Sequence, residues 1–230
     1  MSKLLKLFKE KPLTLIVSLP ENSAELAEAA ERGGADAIKI HMNMKHAASG
    51  TVFGPFDQEK EAVKAILDKV KVPVGIVPGN EILPAKEDMA ALKKMGIDFF
   101  DLFHSRIPNW MFNLKGFGKV AALNEEYSVE RLMELKDLRM DCLEAAIIPK
   151  SDYGKDLTVS DLQNYITIAV TSPLPVIVPT QKFIRTSDVP LLWDAGVAAL
   201  MIGAIVAGDS STSIHEATKK FKAEIGKLDK

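Results

Sequence analysis

The chain has 230 residues, 47% of them hydrophobic, and its 29 basic and 31 acidic side chains leave a net charge of −2. That length and apolar content support one sizeable core spanning residues 1–230, and so even a charge balance gives no reason to expect nucleic acid or an anionic membrane as partner. Cys142 is the sole cysteine, which excludes an internal disulfide and fits a reducing cytoplasm.

Met1 to Lys11 is an amphipathic Lys/Leu stretch without the apolar run and small-residue cleavage site of a signal peptide, and no segment is long enough to span a membrane. An extra N-terminal helix covering one end of the domain is expected there. Strand-like and helix-like patterns then alternate. The spacing predicts strands at 13–19, 35–42, 72–78, 97–104, 119–125, 140–148, 174–180 and 197–203, short and rich in Val, Ile, Leu, Ala and Phe as doubly buried strands are. Amphipathic helices are expected at 23–32, 59–69, 86–95, 129–138, 159–170, 187–195 and 213–227. Gly34, Gly96 and Gly196 stand at C-cap positions, and Ser128, Ser160 and Ser187 at N-cap positions. Eight such units in this length predict an α/β fold, a closed (β/α)8 TIM barrel. An open doubly wound sheet would more often carry a glycine-rich turn after the first strand, where this chain has Ser18-Leu19-Pro20-Glu21-Asn22.

Three strands open alike, with Gly34-Ala35-Asp36, Gly96-Ile97-Asp98 and Arg139-Met140-Asp141, and each carries one ionisable residue in the same register: Lys39, Asp101 and Glu144. The fourth copy, from Gly196, has Met201 there. In a barrel, alternate strand residues face the lumen and strands of one parity share a layer. Lys39, Asp101, Glu144 and Met201 are thus predicted to form one layer. His41, Phe103, Ala146 and Gly203 follow toward the rim, and Asn43, Ser105 and Ile148 lie beyond. Charges in apolar strands are costly to bury alone, so the three should meet one another or a ligand. A lysine between carboxylates keeps its charge, and a desolvated carboxyl holds its proton. Such a set can move a proton next to a substrate carbonyl; it can equally be an ion network that fills the barrel. His41 is open to acid/base, metal-ligand or space-filling roles.

Asn43 to Asp57 is long for a βα connection and contains Lys45, His46 and Phe53-Gly54-Pro55-Phe56, which suits a loop folding over a ligand or a packed insertion. The loop after strand six offers Lys150 and Tyr153 as ligand contacts. Loops after the last two strands of such barrels often hold phosphate on free backbone N–H groups. Here Gln181, Gly203 and Ala204 would anchor the anion and Lys182 or Arg185 would add charge. Asn43 is a further substrate-binding candidate. His41, His46 and His104 have no carboxylate spacing that makes a metal site, so neither metal nor cofactor is expected.

Across nearly its whole length the chain resembles the ribulose-phosphate-binding barrel superfamily. The likeness is sharpest at Ala24–His41 and at Asp188–Val206, and Phe53-Gly54-Pro55 is similar to the end of a loop in the pentulose-phosphate 3-epimerases. Lys39 falls where the decarboxylase group carries an inward lysine. The usual Gly pair after strand seven is Thr180-Gln181 here, the strand-eight Ser is Ala204, and strand three, Val74 to Asn80, lacks the Asp-x-Lys-x-x-Asp of the decarboxylases. The resemblance implies an enzyme, an isomerase/epimerase or lyase, acting on a small phosphorylated carbonyl compound or sugar by proton transfer or C–C cleavage. It also implies self-association. Lys39 would stabilise charge, since flanking carboxylates oppose the neutral amine that a Schiff base requires. Glu144 or Asp101 would be the base, with His41 assisting. A catalytically silent, metabolite-binding barrel is the alternative.

Overall fold

The computed structural model describes residues 2–228. Eight parallel strands form a closed barrel, each beside the next in sequence and the last beside the first. They are Thr14–Ser18, Ala37–His41, Val74–Val77, Phe99–Phe103, Gly118–Ala122, Cys142–Glu144, Val176–Pro179 and Ala199–Ile202, here strands one to eight. Each lies inside its predicted segment except Gly118, one residue outside. Helices α2 (Ala24–Gly33), α3 (Phe56–Lys69), α4 (Lys86–Met95), α6 (Val159–Thr171), α7 (Val189–Asp194) and α9 (Ser211–Ile225) lie between strands or follow the last.

Two expectations fail locally. The predicted helix at 129–138 shrinks to a 3-10 turn and one helical turn, α5 (Glu134–Asp137). Thr158, not Ser160, caps α6, its hydroxyl accepting the Asp161 N–H while Asp161 returns the bond to the Thr158 N–H. Ser187 lies inside a 3-10 turn, and Ser128 makes no side-chain cap. Between strands four and five there is no α-helix; Ile107-Pro108 divides the segment into two 3-10 turns.

The repeated opening phrase is a device of the barrel's rear end. Gly34, Gly96, Arg139 and Gly196 all sit at positive φ, turning the chain from helix to strand. The aspartate two residues later collects N–H groups. Asp36 accepts from Leu15 N (2.9 Å) and from Lys11 and Lys222, and Asp141 accepts from Lys119 N (2.9 Å). Asp98 instead caps helix α1 (Lys3–Glu10) through Lys3 N and Leu4 N at 2.8 and 2.9 Å.

Helix α1 closes the rear of the barrel, as expected of the N-terminal segment. Leu4 is fully buried among Ile16, Phe99, Val120, Cys142 and Ile177. Strand three contributes Gly75, and the Phe99 ring fills the space a side chain there would need. The rear of the lumen is therefore solid and apolar, and polar lumenal groups begin one layer higher.

Candidate active site

Lys39, Asp101 and Glu144 come from strands two, four and six and meet on the floor of a cavity at the front of the barrel. Lys39 Nζ donates to Asp101 Oδ2 and to Glu144 Oε2, both at 3.0 Å. All three residues are buried, at 6%, 2% and 6% exposure, so no bulk water screens them. Met201 completes the layer. Ser18, Val77, Ala122 and Pro179 of the odd strands line the wall above, followed by His41, Phe103, Ala146 and Gly203. The parity expected from sequence thus holds for the Lys39 and His41 layers, while Asn43, Ser105 and Ile148, expected beyond them, do not line this cavity. The cavity measures about 130 Å³, roughly the space that holds a benzene-sized molecule.

The electrostatics divide the three groups. Burial alone would lower the Lys39 pKa, but Asp101 and Glu144 more than reverse it, so the ammonium is held above its ordinary range. Burial, and then the neighbouring Glu144 charge, push Asp101 well above the usual carboxylate range. Burial pushes Glu144 the same way, but Lys39 and the hydrogen bonds it receives outweigh that and leave it below its usual value. The two carboxyls are thus pushed apart: burial and the Glu144 charge favour the neutral form of Asp101, while Lys39 favours the ionised form of Glu144. Asp101 Oδ1 is buried with no hydrogen-bond partner among the described residues. Of the three N–H groups of the Lys39 ammonium, these two bonds use two.

His41 stands above the triad with its Nε2 3.4 Å from Ser18 Oγ and its Nδ1 buried without a partner among the described residues. Burial, then His46 and Lys39, hold it well below its usual pKa, so it is a neutral imidazole. Asn22 fixes its backbone, accepting from His41 N (3.1 Å) and donating to His41 O (2.7 Å). Sequence reasoning missed Ser18 and Asn22. A lone hydroxyl at an inward position of an apolar strand was the available signal for the first.

The long loop after strand two is a β-hairpin, Met44–Lys45 against Val52–Phe53, folded over the barrel mouth. His46 and Phe53 stack on His41, with ring centroids at 4.5 and 4.9 Å. Ser49 ties the hairpin down, donating to Pro20 O (3.1 Å) and meeting His46 Nδ1 at 2.9 Å. Asn43, at φ 53°, is the hairpin's root; its amide donates to Pro78 O and its N–H to Gly54 O. Under the hairpin lies an outer chamber of about 670 Å³ that shares Lys45, His46, Asn80, Lys150 and Tyr153 with the inner cavity.

The predicted anion cradle is altered. Gly203 and Gln181 line the cavity, but Gly203 N–H donates to Thr180 Oγ1 (3.0 Å). The Gln181 amide accepts from Ile148 N (3.1 Å) and donates to Tyr153 Oη (2.6 Å). Lys182 and Arg185 reach neither chamber: Lys182 is buried beside Asp161 (3.2 Å), and Arg185 is exposed and paired with Asp156 (2.7 Å). Ala204 opens the four-residue helix α8 (Ala204–Ala207) outside both walls. The charge expected from Lys182 and Arg185 is thus spent on acidic neighbours that lie far off in sequence.

Among the described residues, no group of three or more His, Cys, Asp or Glu is placed to hold a metal ion, and no helix is long and apolar enough to cross a membrane.

No family model and no curated relative matches the chain. Solved structures do. Phosphoribosyl anthranilate isomerase from Thermus thermophilus superposes with a TM-score of 0.69 at 16% identity, covering 94% of this chain and 100% of that one. Thiamine phosphate pyrophosphorylase from Pyrococcus furiosus gives 0.66 at 14%, covering 95% and 98%. The tryptophan synthase A-subunit from Pyrococcus furiosus gives 0.65 at 12%, covering 92% and 97%. Identities this low carry the fold alone. The chain shares with these three structures the fold of a closed eight-stranded parallel barrel.

Proposed function

We propose that this protein is an enzyme that moves a proton at a carbon next to the carbonyl of a small phosphorylated compound. The observation that carries this reading is one buried lysine bridging two carboxyls on the floor of a ligand-sized cavity. Glu144, ionised, takes the proton from carbon. The remaining Lys39 N–H donates to the carbonyl oxygen as it gains negative charge. Asp101, in its neutral form, returns a proton to the other face of the same carbon, which leaves Glu144 protonated and Asp101 ionised; loss of the proton from Glu144 to solvent and gain of one by Asp101 resets the pair. The same oxygen stabilisation would serve C–C cleavage. A lumen built for stability alone pairs its buried polar atoms; Asp101 Oδ1 and His41 Nδ1 have no partner among the described residues, which favours a ligand over a structural network. Two of the neighbours named above carry a phosphorylated compound in their names, phosphoribosyl anthranilate and thiamine phosphate, and this lends the phosphate in the proposal general support.

The test is deuterium exchange. Small aldehyde and ketone phosphates are incubated with the protein in D2O and read by NMR at the carbon next to the carbonyl. At least one should exchange. Lys39→Met and Glu144→Gln should each lower the rate by about a hundredfold or more, with circular dichroism unchanged. Glu144→Gln leaves Asp101 to balance the lysine, so it reports even where the lysine variant fails to fold. Exchange at the native rate in either folded variant, or none across the panel, would select the silent, metabolite-binding barrel instead.

A further inference from the structure

We infer that the substrate's anionic group is held on the hairpin side of the barrel mouth, by Lys45 and Lys150 with Asn80 and Tyr153, and not at the ends of strands seven and eight. The identity of the other end of the molecule, a carbonyl over Lys39, rests on the function proposed above.

The first ground is that the side chains of the strand-seven and strand-eight side are already engaged, which leaves the Ala204 and Ile205 N–H groups of the four-residue helix α8 without a bond among the described residues. Gly203 N–H is taken by Thr180, and the Gln181 amide by Ile148 and Tyr153. Lys182 and Arg185 are held by carboxylates. An anion docking there would meet the Ala204 and Ile205 N–H groups with no unpaired cation beside them, because Lys182 and Arg185 already face carboxylates.

The second ground is that the opposite side has donors to give. Lys45 and Lys150 border both the inner cavity and the outer chamber. Neither takes part in an ion pair among the described residues, although most salt bridges of this chain are made by lysine. Asn80 borders both chambers too, and its amide has no hydrogen bond among the described residues. Tyr153 accepts from Gln181 at 2.6 Å, which leaves its own O–H to donate, and burial first of all keeps it a phenol by pushing its pKa up. Two ammonium groups, one amide and one hydroxyl match the three oxygens of a phosphate dianion better than the two of a carboxylate. Glu81 borders the outer chamber alone, so the shared junction carries the positive excess.

The ligand class that fits is a short phosphomonoester: a reacting head the size of the inner cavity, and a phosphate a few bonds away at the junction. Its long axis runs toward strands two, three and six. Thr180 and Gln181 then act as packing on the adjoining wall, with Gln181 positioning Tyr153.

Titration with inorganic phosphate, followed by backbone amide NMR, tests this without any turnover. Saturable shifts should centre on residues 44–48, 80–81 and 150–153. Lys45→Met and Lys150→Met, both exposed positions, should each raise the dissociation constant about three- to tenfold, and together about thirtyfold. Arg185→Met should leave it within about twofold. Shifts centred on 203–205, an affinity that falls with Arg185→Met, an affinity indifferent to both lysines, or no saturable binding would each overturn the inference. Phosphate bound at the junction alongside absent deuterium exchange would count against the proposed chemistry alone.

Discussion

Asp101 Oδ2 lies 3.0 Å from Lys39 Nζ, while the other oxygen of the same carboxyl, Oδ1, is buried with no partner among the described residues. With Glu144 also at 3.0 Å from the ammonium, one buried cation faces two groups that can each balance it. Removing either carboxyl leaves the other to ionise. Asp101→Asn and Glu144→Gln should therefore each cost only about 1–2 kcal/mol. The double variant strands a buried cation and should cost about 3–5 kcal/mol beyond the sum of the two. Urea unfolding of the four proteins measures the cycle. Additive losses would mean that the two carboxyls do not stand in for one another.

His46 ties pH to the hairpin. Burial, then the Lys39 charge, set its pKa at about 4 against an ordinary 6.5, with Glu144 pulling weakly the other way. Between those values the unfolded chain binds a proton that the folded chain refuses, so stability falls as pH falls through that window. The loss is on the order of 2 kcal/mol once partial exposure is allowed for. Asp101, whose pKa is raised, works in the opposite sense in both wild type and a His46→Asn variant, while His41 works in the same sense and is itself held down partly by His46, so the variant reports the two histidines together. Thermal unfolding at neutral pH and near pH 4.5 should show a smaller acid loss in the variant, by about 4–8 °C. Equal losses would remove His46 from the linkage.

Gly75 and Phe99 are neighbours across strands three and four, and a methyl group on Gly75 would run into the Phe99 ring. Gly75→Ala should destabilise by about 1–3 kcal/mol. Adding Phe99→Leu should recover part of that loss, although Phe99→Leu alone costs stability. A double-mutant cycle without a favourable coupling would show that the ring does not fill that space.

The barrel and its charged floor were legible because each rests on local, repeated signals. Apolar runs bounded by glycine mark the strands, and a period of two places Lys39, Asp101 and Glu144 on one side. The hairpin was not legible, since two residues per strand, Met44–Lys45 and Val52–Phe53, are too few to show a period. The fates of Lys182 and Arg185 were equally hidden. Their partners, Asp161 and Asp156, are set by how α6 and the strand-six loop fold back, and that is a tertiary property. The aspartates of the repeated phrase were read as part of a strand opening. Their role, catching N–H groups of the preceding strand or of α1, exists only once the strands are side by side.

Leu4 stoppers the rear of the barrel. Among the described residues the cavity above Lys39 is therefore closed at the rear and lined at the front by hairpin residues. On the function proposed above, a product would have to clear the hairpin before the next substrate arrives, so the hairpin would set the tempo for the floor below.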